Sequence, residues 1–226
     1  MKYAIISPVL NEEEYIRHTL ESVCLQTHKP EVWIITDDGS SDSTRDIVSE
    51  FTTKYKWIEF LSYNKKGEDR SGGAKVVNAF YRGFNHLLSR KIKWDFIVKL
   101  DGDLSLPAEY FEKIAKEFAE NEKLGICGGY LMNLINGRQL REIESDYHVR
   151  GAFKSIRKEC FEEIGGFKPI WNWDGIDELE AMYKGWLTKT IEVPVIHYRP
   201  TTSAYDIKKH SFKSGLEAYK EGNSIF

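Results

Sequence analysis

The chain has 226 residues, of which 41% are hydrophobic and 30% charged, a balance that is typical of a folded domain and excludes wholesale disorder. Its 32 basic and 35 acidic residues give a net charge of −3, so there is no basic excess for binding nucleic acid. The longest uncharged apolar stretch, residues 124–135, is too short to cross a bilayer, and three widely separated cysteines without metal-ligand spacing indicate a reduced, cytoplasmic setting.

The first hundred residues alternate apolar runs with helical patterns. We predict four strands, over residues 3–9, 32–36, 57–63 and 95–100. Helical spacing of apolar side chains predicts three helices between them, opening at residues 11–14, at residues 42–44 and after Gly72-Gly73. Continuous apolar strands that alternate with helices predict an α/β fold, with a Rossmann-like, mainly parallel sheet covered by helices on both faces. The first run lacks a small-residue cleavage site, so we interpret it as a core strand and not as a signal peptide.

The second half is less regular and predicts a mixed architecture. Apolar periodicity predicts helices over residues 107–121, 157–164 and about 176–184. Strands are predicted over residues 124–134, 150–156 and 191–193. Because no linker or repeat interrupts the chain, we predict one domain over residues 1–226, with halves of about 1–104 and about 105–200 and a basic amphipathic helix of about 206–226.

Polar or acidic clusters follow each of the four strands of the first half. They are Ser7 to Glu12, Asp37-Asp38-Gly39-Ser40, residues 65–73, and Asp101-Gly102-Asp103. Ligands of open parallel sheets bind beyond the carboxyl ends of the strands. One acidic strand end often only caps the next helix, whereas four on one rim indicate a binding site.

Asp101-Gly102-Asp103 places two carboxylates around a glycine directly after a buried strand. Mg²⁺ and Mn²⁺ prefer oxygen ligands, usually one or two carboxylates with substrate phosphates, so the motif favours a metal site over a plain turn. The sequence contains neither a P-loop nor a Gly-x-Gly-x-x-Gly motif. This disfavours P-loop nucleotide hydrolysis and standard dinucleotide binding.

The chain thus carries three specific blocks, Ser7 to Glu13, Asp37 to Thr44 and Asp101 to Asp103. In residues and spacing they resemble the signature of family 2 glycosyltransferases, which have the GT-A fold. Looser matches to the acceptor-side and closing segments of the family follow at Gly151-Ala152-Phe153, Glu163 to Phe167, Trp173 to Glu178, Gly185-Trp186 and His197 to Pro200. The resemblance covers roughly residues 3–200. It implies a metal-dependent, inverting transfer of a sugar from a nucleotide-diphospho-sugar to a hydroxyl of a glycan or lipid-linked acceptor.

The resemblance also implies roles at the nucleoside. Pro8, Val9 and Glu12 would line the nucleoside pocket, and Asp38 would contact the base. Asp37 would either join this pocket or cap the turn that follows it.

Further roles concern the metal and the diphosphate. Asp103 would hold Mn²⁺ or Mg²⁺, and Asp101 would lie beside it on the ribose or phosphate side. His197 matches a late histidine that could reach the metal or the diphosphate, with a structural role as the alternative. Arg70 and Lys75 would contact phosphate or stay solvated.

The base that accepts the acceptor's proton is one of three carboxylates, Asp174, Asp177 and Glu178. The usual Glu-Asp pair of the family is absent as such, and more than one alignment fits. We place Asp177 first, in the first turn of a helix that opens near Ile176, with Asp174 second and Glu178 third. A helix that begins before Asp174 would instead project both aspartates from one face. All three carboxylates could also serve only to stabilise the helix.

Two other functions stay open on the sequence alone. One is a nucleotidyltransferase that makes sugar nucleotides, although Asn11 and three glutamates stand where such enzymes carry a glycine-rich basic loop. The other is a non-catalytic sugar-nucleotide-binding protein. The tail from Asp206 could lie on the inner, anionic face of a membrane, and we favour a docked helix with a solvated basic face. Tryptophans 171, 173 and 186 could stack on a sugar, and core packing is favoured for Trp186.

Overall fold

The computed structural model describes residues 1–63, 74–135, 137–142 and 145–199. Within these ranges the strands are β1 (Tyr3–Val9), β2 (Val32–Asp37), β3 (Ile58–Ser62), β4 (Phe96–Lys99), β5 (Leu104–Ser105), β6 (Leu124–Ile135), β7 (Arg138–Arg141), β8 (Ser155–Arg157) and β9 (Leu187–His197). The helices are α1 (Ile16–Cys24), α2 (Thr44–Lys54), α3 (Ala74–Ser89), α4 (Tyr110–Glu120), α5 (Lys158–Glu163) and α6 (Trp173–Tyr183), with a 3₁₀ turn at Gly151–Phe153. The predicted loop 65–73, with Arg70, and the predicted helix from residue 206 lie outside the described residues.

One sheet joins the two halves of the chain. Its strand order is β3-β2-β1-β4-β8-β6-β9-β5, and β7 pairs with β6 at the side. The strands β3, β2, β1 and β4 are parallel, whereas β8 is antiparallel to both β4 and β6. Since β6 is parallel to β9, the ends of β6 and β9 lie at the same edge as those of β1, β2 and β4. The mainly parallel sheet with a mixed second half is confirmed.

The two faces of the sheet carry separate apolar clusters. Tyr3 and Ile5 of β1 belong to one cluster, and Ala4 and Ile6 belong to the other, as expected where successive side chains point to opposite faces. Residues of α1, α2 and α4 cover the first face, and residues of α3, α5 and α6 cover the second. Helices on both faces are therefore confirmed.

Three helix starts differ from the prediction, one of them that of α4, which begins at Tyr110, three residues after the predicted start at residue 107. The polar run at residues 11–14 forms a turn, and α1 begins only at Ile16. The carbonyl of Glu12 accepts the amides of Tyr15 and Ile16 there. The helix α6 begins at Trp173, three residues before the predicted start, after Asn172 in the left-handed region at φ +57°. The earlier start puts Asp174 inside the helix.

The strands of the second half also differ from the prediction. β9 covers eleven residues because it pairs with β6 along most of its length, with irregularities in register. The predicted strand over residues 150–156 is split into the 3₁₀ turn and β8. The short β5 and the β7 hairpin strand were not predicted, because neither has an apolar run of its own.

Gly83 lets α3 approach β1 and β2. A methyl group at Gly83 would lie 2.7 Å from Cγ2 of Ile6 and 2.8 Å from Oγ1 of Thr36. We expect Gly83→Ala to lower the free energy of unfolding by about 1–3 kcal/mol through overpacking, although alanine is the better helix former. Urea denaturation measures this, with the exposed Asn78→Ala on the same helix as the control, expected within about 0.5 kcal/mol of the parent. A Gly83→Ala protein as stable as the parent would contradict the close approach.

Candidate active site

The turn after β2 uses its two aspartates differently. Asp37 is fully buried, and its carboxylate accepts the amide of Ser40 at 2.8 Å and Nε of Arg45 at 2.6 Å. Asp38 is partly exposed and accepts a bond from the guanidinium of Arg82 on α3, which lies over the Tyr63 ring. These contacts give Asp37 the turn-capping geometry. Asp38 is the more exposed of the two aspartates.

The end of β1 packs beside this turn. Pro8 and Val9 pair in register with Thr36 and Asp37 and are buried. The carbonyl of Val9 accepts the amide of Asp38 at 2.9 Å. The predicted nucleoside residues Pro8, Val9 and Asp38 are thus brought together.

Glu12 is buried and held by a distant cation. Its carboxylate accepts hydrogen bonds from both terminal nitrogens of Arg199, at 2.8 Å and 3.4 Å. Its amide donates to Oγ1 of Thr44 at 2.7 Å, and the guanidinium of Arg199 lies 5.3 Å from the Tyr15 ring. The segment after β9 therefore crosses to the end of β1 and lies against the predicted nucleoside pocket.

Asp101-Gly102-Asp103 follows β4 at the same edge. Nζ of Lys99 donates to Asp101 at 2.5 Å. A methyl group at Gly102 would lie 3.2 Å from Cγ of Glu12 and 3.3 Å from Cγ1 of Val9, so the glycine allows the ends of β4 and β1 to approach closely. Nε2 of His197 lies 3.5 Å from Oδ2 of Asp103.

Asp103 and His197 lie together at this edge, and Asp101 is bonded to Lys99. Asp103 is buried, and Nδ1 of His197 is buried without a hydrogen-bond partner in the described part of the chain. Arg199 lies 3.8 Å from Asp103, so this place already attracts positive charge. Among the described residues no three acidic, histidine or cysteine side chains can hold a metal by themselves. The metal role expected of Asp103, with Asp101 and His197 beside it, therefore stays a prediction, and a cation there would take its other ligands from a diphosphate.

Lys75 lies in the first turn of α3 and is exposed. Arg70 lies outside the described residues, so the predicted phosphate contacts of both side chains stay predictions.

The three base candidates project from the first turns of α6. Asp174 is partly exposed, and its Oδ2 accepts the amide of Gly151 at 3.1 Å. Asp177 is fully buried, and its Oδ1 accepts Nζ of Lys154 at 2.6 Å. Glu178 is buried and accepts bonds from Lys154 and from the amide of Val149, with His148 at 2.8 Å. Asp174 is thus the most exposed of the three candidates, and Asp177 and Glu178 are buried.

The surroundings separate the two aspartates electrostatically. Burial opposes ionisation of Asp174, but the Lys154 ammonium and the Gly151 amide outweigh it and hold the pKa of Asp174 below its ordinary value. Burial dominates at Asp177 and raises its pKa to about 7, against the opposing effect of Lys154 and with the support of Glu178 and Asp174. Of the two aspartates, Asp174 therefore ionises more readily.

A glycine allows the base candidate its position. A methyl group at Gly151 would lie 2.6 Å from the Trp173 ring and 3.0 Å from both Cβ and Oδ2 of Asp174. The block Gly151-Ala152-Phe153 therefore supplies both the donor to Asp174 and the space for it.

Sequence reasoning gave no role to five cations that hold these carboxylates: Arg45, Arg82, Lys99, Lys154 and Arg199. A signal was present for two of them. Lys99 and Lys154 interrupt apolar runs, and a charge in such a run is buried only with a partner. Arg45, Arg82 and Arg199 carry no such signal in the sequence.

The three tryptophans have different surroundings. Trp173 is buried in the second apolar cluster, and its ring lies 5.5 Å from Nζ of Lys99 and 5.7 Å from Nζ of Lys154. Trp186 packs at the edge of the same cluster and donates from Nε1 to Glu163 at 2.9 Å, consistent with the favoured packing role. Trp171 is partly buried.

A sequence profile described as "Glycosyl transferase family 2" matches residues 4–171. Glycosyltransferase GlyA of Streptococcus pneumoniae is 26% identical over 164 residues, which are 72% of this chain and 21% of that protein. An uncharacterized glycosyltransferase of Mycoplasma genitalium is 28% identical over 160 residues, which are 69% of this chain and 48% of that protein. The chain thus spans about a fifth to a half of the length of these relatives.

Solved structures share the fold. TarS of S. aureus in complex with UDP-GlcNAc superposes with a TM-score of 0.68 and 16% identity, covering 100% of this chain and 68% of that one. The mannosyltransferase PcManGT of Pyrobaculum calidifontis, in complex with GDP-Man and Mn²⁺, gives a TM-score of 0.65 and 16% identity, covering 97% of this chain and 64% of that one. The expected GT-A fold is confirmed. In the part of the chain that the structure describes, no helix has the length and apolar character needed to span a membrane.

The raised pKa of Asp177 predicts a pH-dependent stability. Asp177 is faced by Lys154, Asp174, Glu178 and Cys160. Its folded pKa exceeds its unfolded value, so its contribution to stability is complete below about pH 4 and is lost as the pH rises to about 7, at no more than about 1.4 kcal/mol per pH unit.

Asp177→Asn should remove this fall, so that unfolding free energies between pH 4 and 7 decline less steeply than in the parent. Chemical denaturation across this range measures the slopes. Glu159→Gln, an exposed change on α5, is the control and should leave the slope as it is. Equal slopes in the parent and Asp177→Asn would show that Asp177 ionises as an ordinary aspartate.

Proposed function

The chain belongs to glycosyl transferase family 2, and we propose that it moves a sugar from a nucleotide-diphospho-sugar to a hydroxyl of a glycan or lipid-linked acceptor, with inversion and with a divalent cation. One observation carries the proposal: the partly exposed Asp174 of α6 is linked through the 3₁₀ turn to the strand end that bears Asp101 and Asp103. The amide of Asp101 donates to the carbonyl of Ala152 at 2.7 Å, and the amide of the neighbouring Gly151 donates to Asp174. A base and a site for a charged leaving group thus adjoin.

We assign the base to Asp174 in place of Asp177. A general base must come within hydrogen-bond reach of the proton that it accepts. Asp177 and Glu178 are buried and hydrogen-bonded to Lys154. Asp174 is partly exposed, and its Oδ2 accepts the amide of Gly151. Oδ1 of Asp174 accepts no hydrogen bond from any described residue and is the oxygen that would take the proton.

The reaction is a direct displacement. The acceptor oxygen forms a bond to the anomeric carbon as its proton passes to Asp174, and the bond from that carbon to the phosphate oxygen breaks. The electron pair of that bond leaves with the nucleoside diphosphate. With one base on the side away from the leaving group, the anomeric centre inverts.

The donor's nucleoside would lie at the ends of β1 and β2. Pro8 and Val9 would provide its apolar wall, and Asp38 would accept a hydrogen bond from the nucleobase. Arg82 sets the direction of the Asp38 carboxylate. Glu12 completes the pocket, paired with Arg199. Asp37 supports the turn from below.

The diphosphate would lie beyond β4, between Asp101 and the end of β9. Asp103 and His197 would hold the cation, and Lys75 would approach the phosphates from α3. A divalent cation there supplies charge neutralisation for the departing diphosphate. Arg199 adds a fixed positive charge on the same side.

The bound molecules of the structural neighbours support the donor class. TarS is described with UDP-GlcNAc and PcManGT with GDP-Man and Mn²⁺. A panel of UDP-, GDP- and dTDP-sugars, assayed with Mn²⁺ for release of the nucleoside diphosphate, tests the donor. Pyrophosphate release from nucleoside triphosphates would point instead to a nucleotidyltransferase, and binding without turnover to a binding protein. Contact of the tail from Asp206 with a membrane stays a prediction.

The base assignment predicts a contrast between two isosteric changes. Asp174→Asn should lower the rate of donor turnover by about 10²–10⁴-fold, the usual contribution of a general base, with donor affinity retained. Asp177→Asn should lose far less, because Asp177 does not reach the cleft. Turnover of UDP-GlcNAc or GDP-mannose, whichever the panel selects, is measured beside binding by calorimetry. The assignment is wrong if Asp174→Asn keeps the parent's rate, or if Asp177→Asn is the more impaired protein.

The cation site predicts a separate loss. Asp103→Ala should weaken Mn²⁺-dependent binding of UDP or GDP by at least about tenfold, since even the partners of metal ligands contribute that much. Binding without Mn²⁺ should change little. Titration calorimetry compares the variant with Asp46→Ala, an exposed change on α2. Unaltered Mn²⁺-dependent affinity in Asp103→Ala would place the cation elsewhere.

A further inference from the structure

Lys154 is a fully buried cation that does not face the cleft. Its ammonium has three hydrogens, and three oxygens of α6 take them: the carbonyl of Asp174 at 2.5 Å, Oδ1 of Asp177 at 2.6 Å and Oε1 of Glu178 at 3.0 Å. A buried ammonium with every hydrogen bonded is fixed in direction as well as in position. The first turn of α6 is therefore tied to one point.

That point belongs to the donor side of the sheet. The carbonyl of Lys154 accepts the amide of Lys99 at 2.9 Å, and the next residue, Ser155, pairs with Val98 of β4. Lys99 in turn donates to Asp101. A backbone hydrogen bond thus connects Lys99, at the end of β4, to Lys154, and the side chain of Lys154 holds α6.

Trp173 spaces the two lysines. Its ring lies 5.5 Å from Nζ of Lys99 and 5.7 Å from Nζ of Lys154, both within cation–π range. One ammonium holds a carboxylate on the donor side, and the other holds the helix that bears Asp174. Both ammonium groups therefore contact the same ring.

We propose that Lys154 is a positioning residue for Asp174: it fixes the first turn of α6 against the end of β4 and keeps the carboxylate of Asp174 aimed at the acceptor and ionised. This inference rests on the proposed function, in which Asp174 is the base. Lys154 acts through Asp174 and touches neither substrate.

The charges around Asp174 support the second half of this role. Asp174 is faced by Lys154, His148 and Arg150, by the Gly151 amide, and by the carboxylate of Asp177. After the opposing effect of burial, the field of Lys154 is the largest influence on the pKa of Asp174, and it lowers that pKa. Removal of Lys154 should therefore make Asp174 harder to ionise as well as less well aimed.

The test removes the cation together with one of its two carboxylate partners, and the other, Glu178, keeps His148 and the amide of Val149 as partners. Lys154→Met alone leaves Asp177 and Glu178 facing each other, and loss of one partner from a buried pair is strongly destabilising. The double variant Lys154→Met/Asp177→Asn removes one cation and one carboxylate together. Asp177→Asn alone is its matched reference, so that the difference between the two proteins reports Lys154.

Three measurements are made on both proteins and on the parent. They are UDP or GDP affinity by calorimetry, the pH profile of donor turnover, and the carboxyl ¹³C titration of Asp174 by NMR. Relative to Asp177→Asn, the double variant should bind the nucleotide within about twofold. Its turnover should fall by about 10²-fold, the loss that a misplaced catalytic group produces. The acidic limb of its pH profile and the Asp174 titration should both move up by about one pH unit, as expected when a cation near a carboxylate is removed.

Two results would overturn the inference. One is turnover within about threefold of Asp177→Asn; the other is an Asp174 titration that does not move. A purely structural Lys154 would lower the melting temperature and shift neither the titration nor the pH limb. If the parent turns over no sugar nucleotide, or if Asp174→Asn is fully active, the proposed function has failed, and the NMR titration still decides whether Lys154 controls Asp174.

Discussion

Carboxylates that are buried or partly buried at the candidate site are each held by a cation, and these pairs fix how the elements around the site meet. The pairs are Asp37 with Arg45, Asp38 with Arg82, Asp101 with Lys99, Glu12 with Arg199, and Asp177 and Glu178 with Lys154. Breaking one buried pair by removing a partner costs roughly 3–5 kcal/mol, a large share of the stability of a domain. One of these pairs, Glu12 with Arg199, joins the first half of the chain to the second.

This neutralisation also reconciles an acidic rim with an anionic ligand. Bare carboxylates would repel a diphosphate, whereas carboxylates that already carry Arg82, Arg199 or Lys99 leave little net negative charge around the pocket. Asp103 lies 3.5 Å from Nε2 of His197 and 3.8 Å from a terminal nitrogen of Arg199. The paired carboxylates thus support the fold, and the proposed leaving group would depart beside Asp103.

The two aspartates of α6 show how burial divides one acidic motif into two tasks. They lie three residues apart on one helix, and Lys154 influences both. Asp174 keeps a low pKa because the Gly151 amide and Lys154 outweigh its burial, and Asp177 has a raised pKa because burial prevails. Paired carboxylates with pKa values pushed apart are the usual way for one site to hold both an ionised and a protonated group near neutral pH.

The sequence by itself determined the parallel sheet, the helices on both faces and the acidic edge, because apolar periodicity is local and parallel strands share one carboxyl edge. It also determined the family, because the block around Asp38 and the block from Asp101 to Asp103 are each an unbroken run of residues that can be recognised in the sequence. Only the tertiary structure decided that α6 begins at Trp173, that Asp174 is the reachable carboxylate, and which cations hold the rim. The reason is range: Glu12 and Arg199 are 187 residues apart, and Lys154 and Asp177 are 23 apart. Such pairs leave no local pattern, and the exposure of Asp174 follows from what packs beneath it.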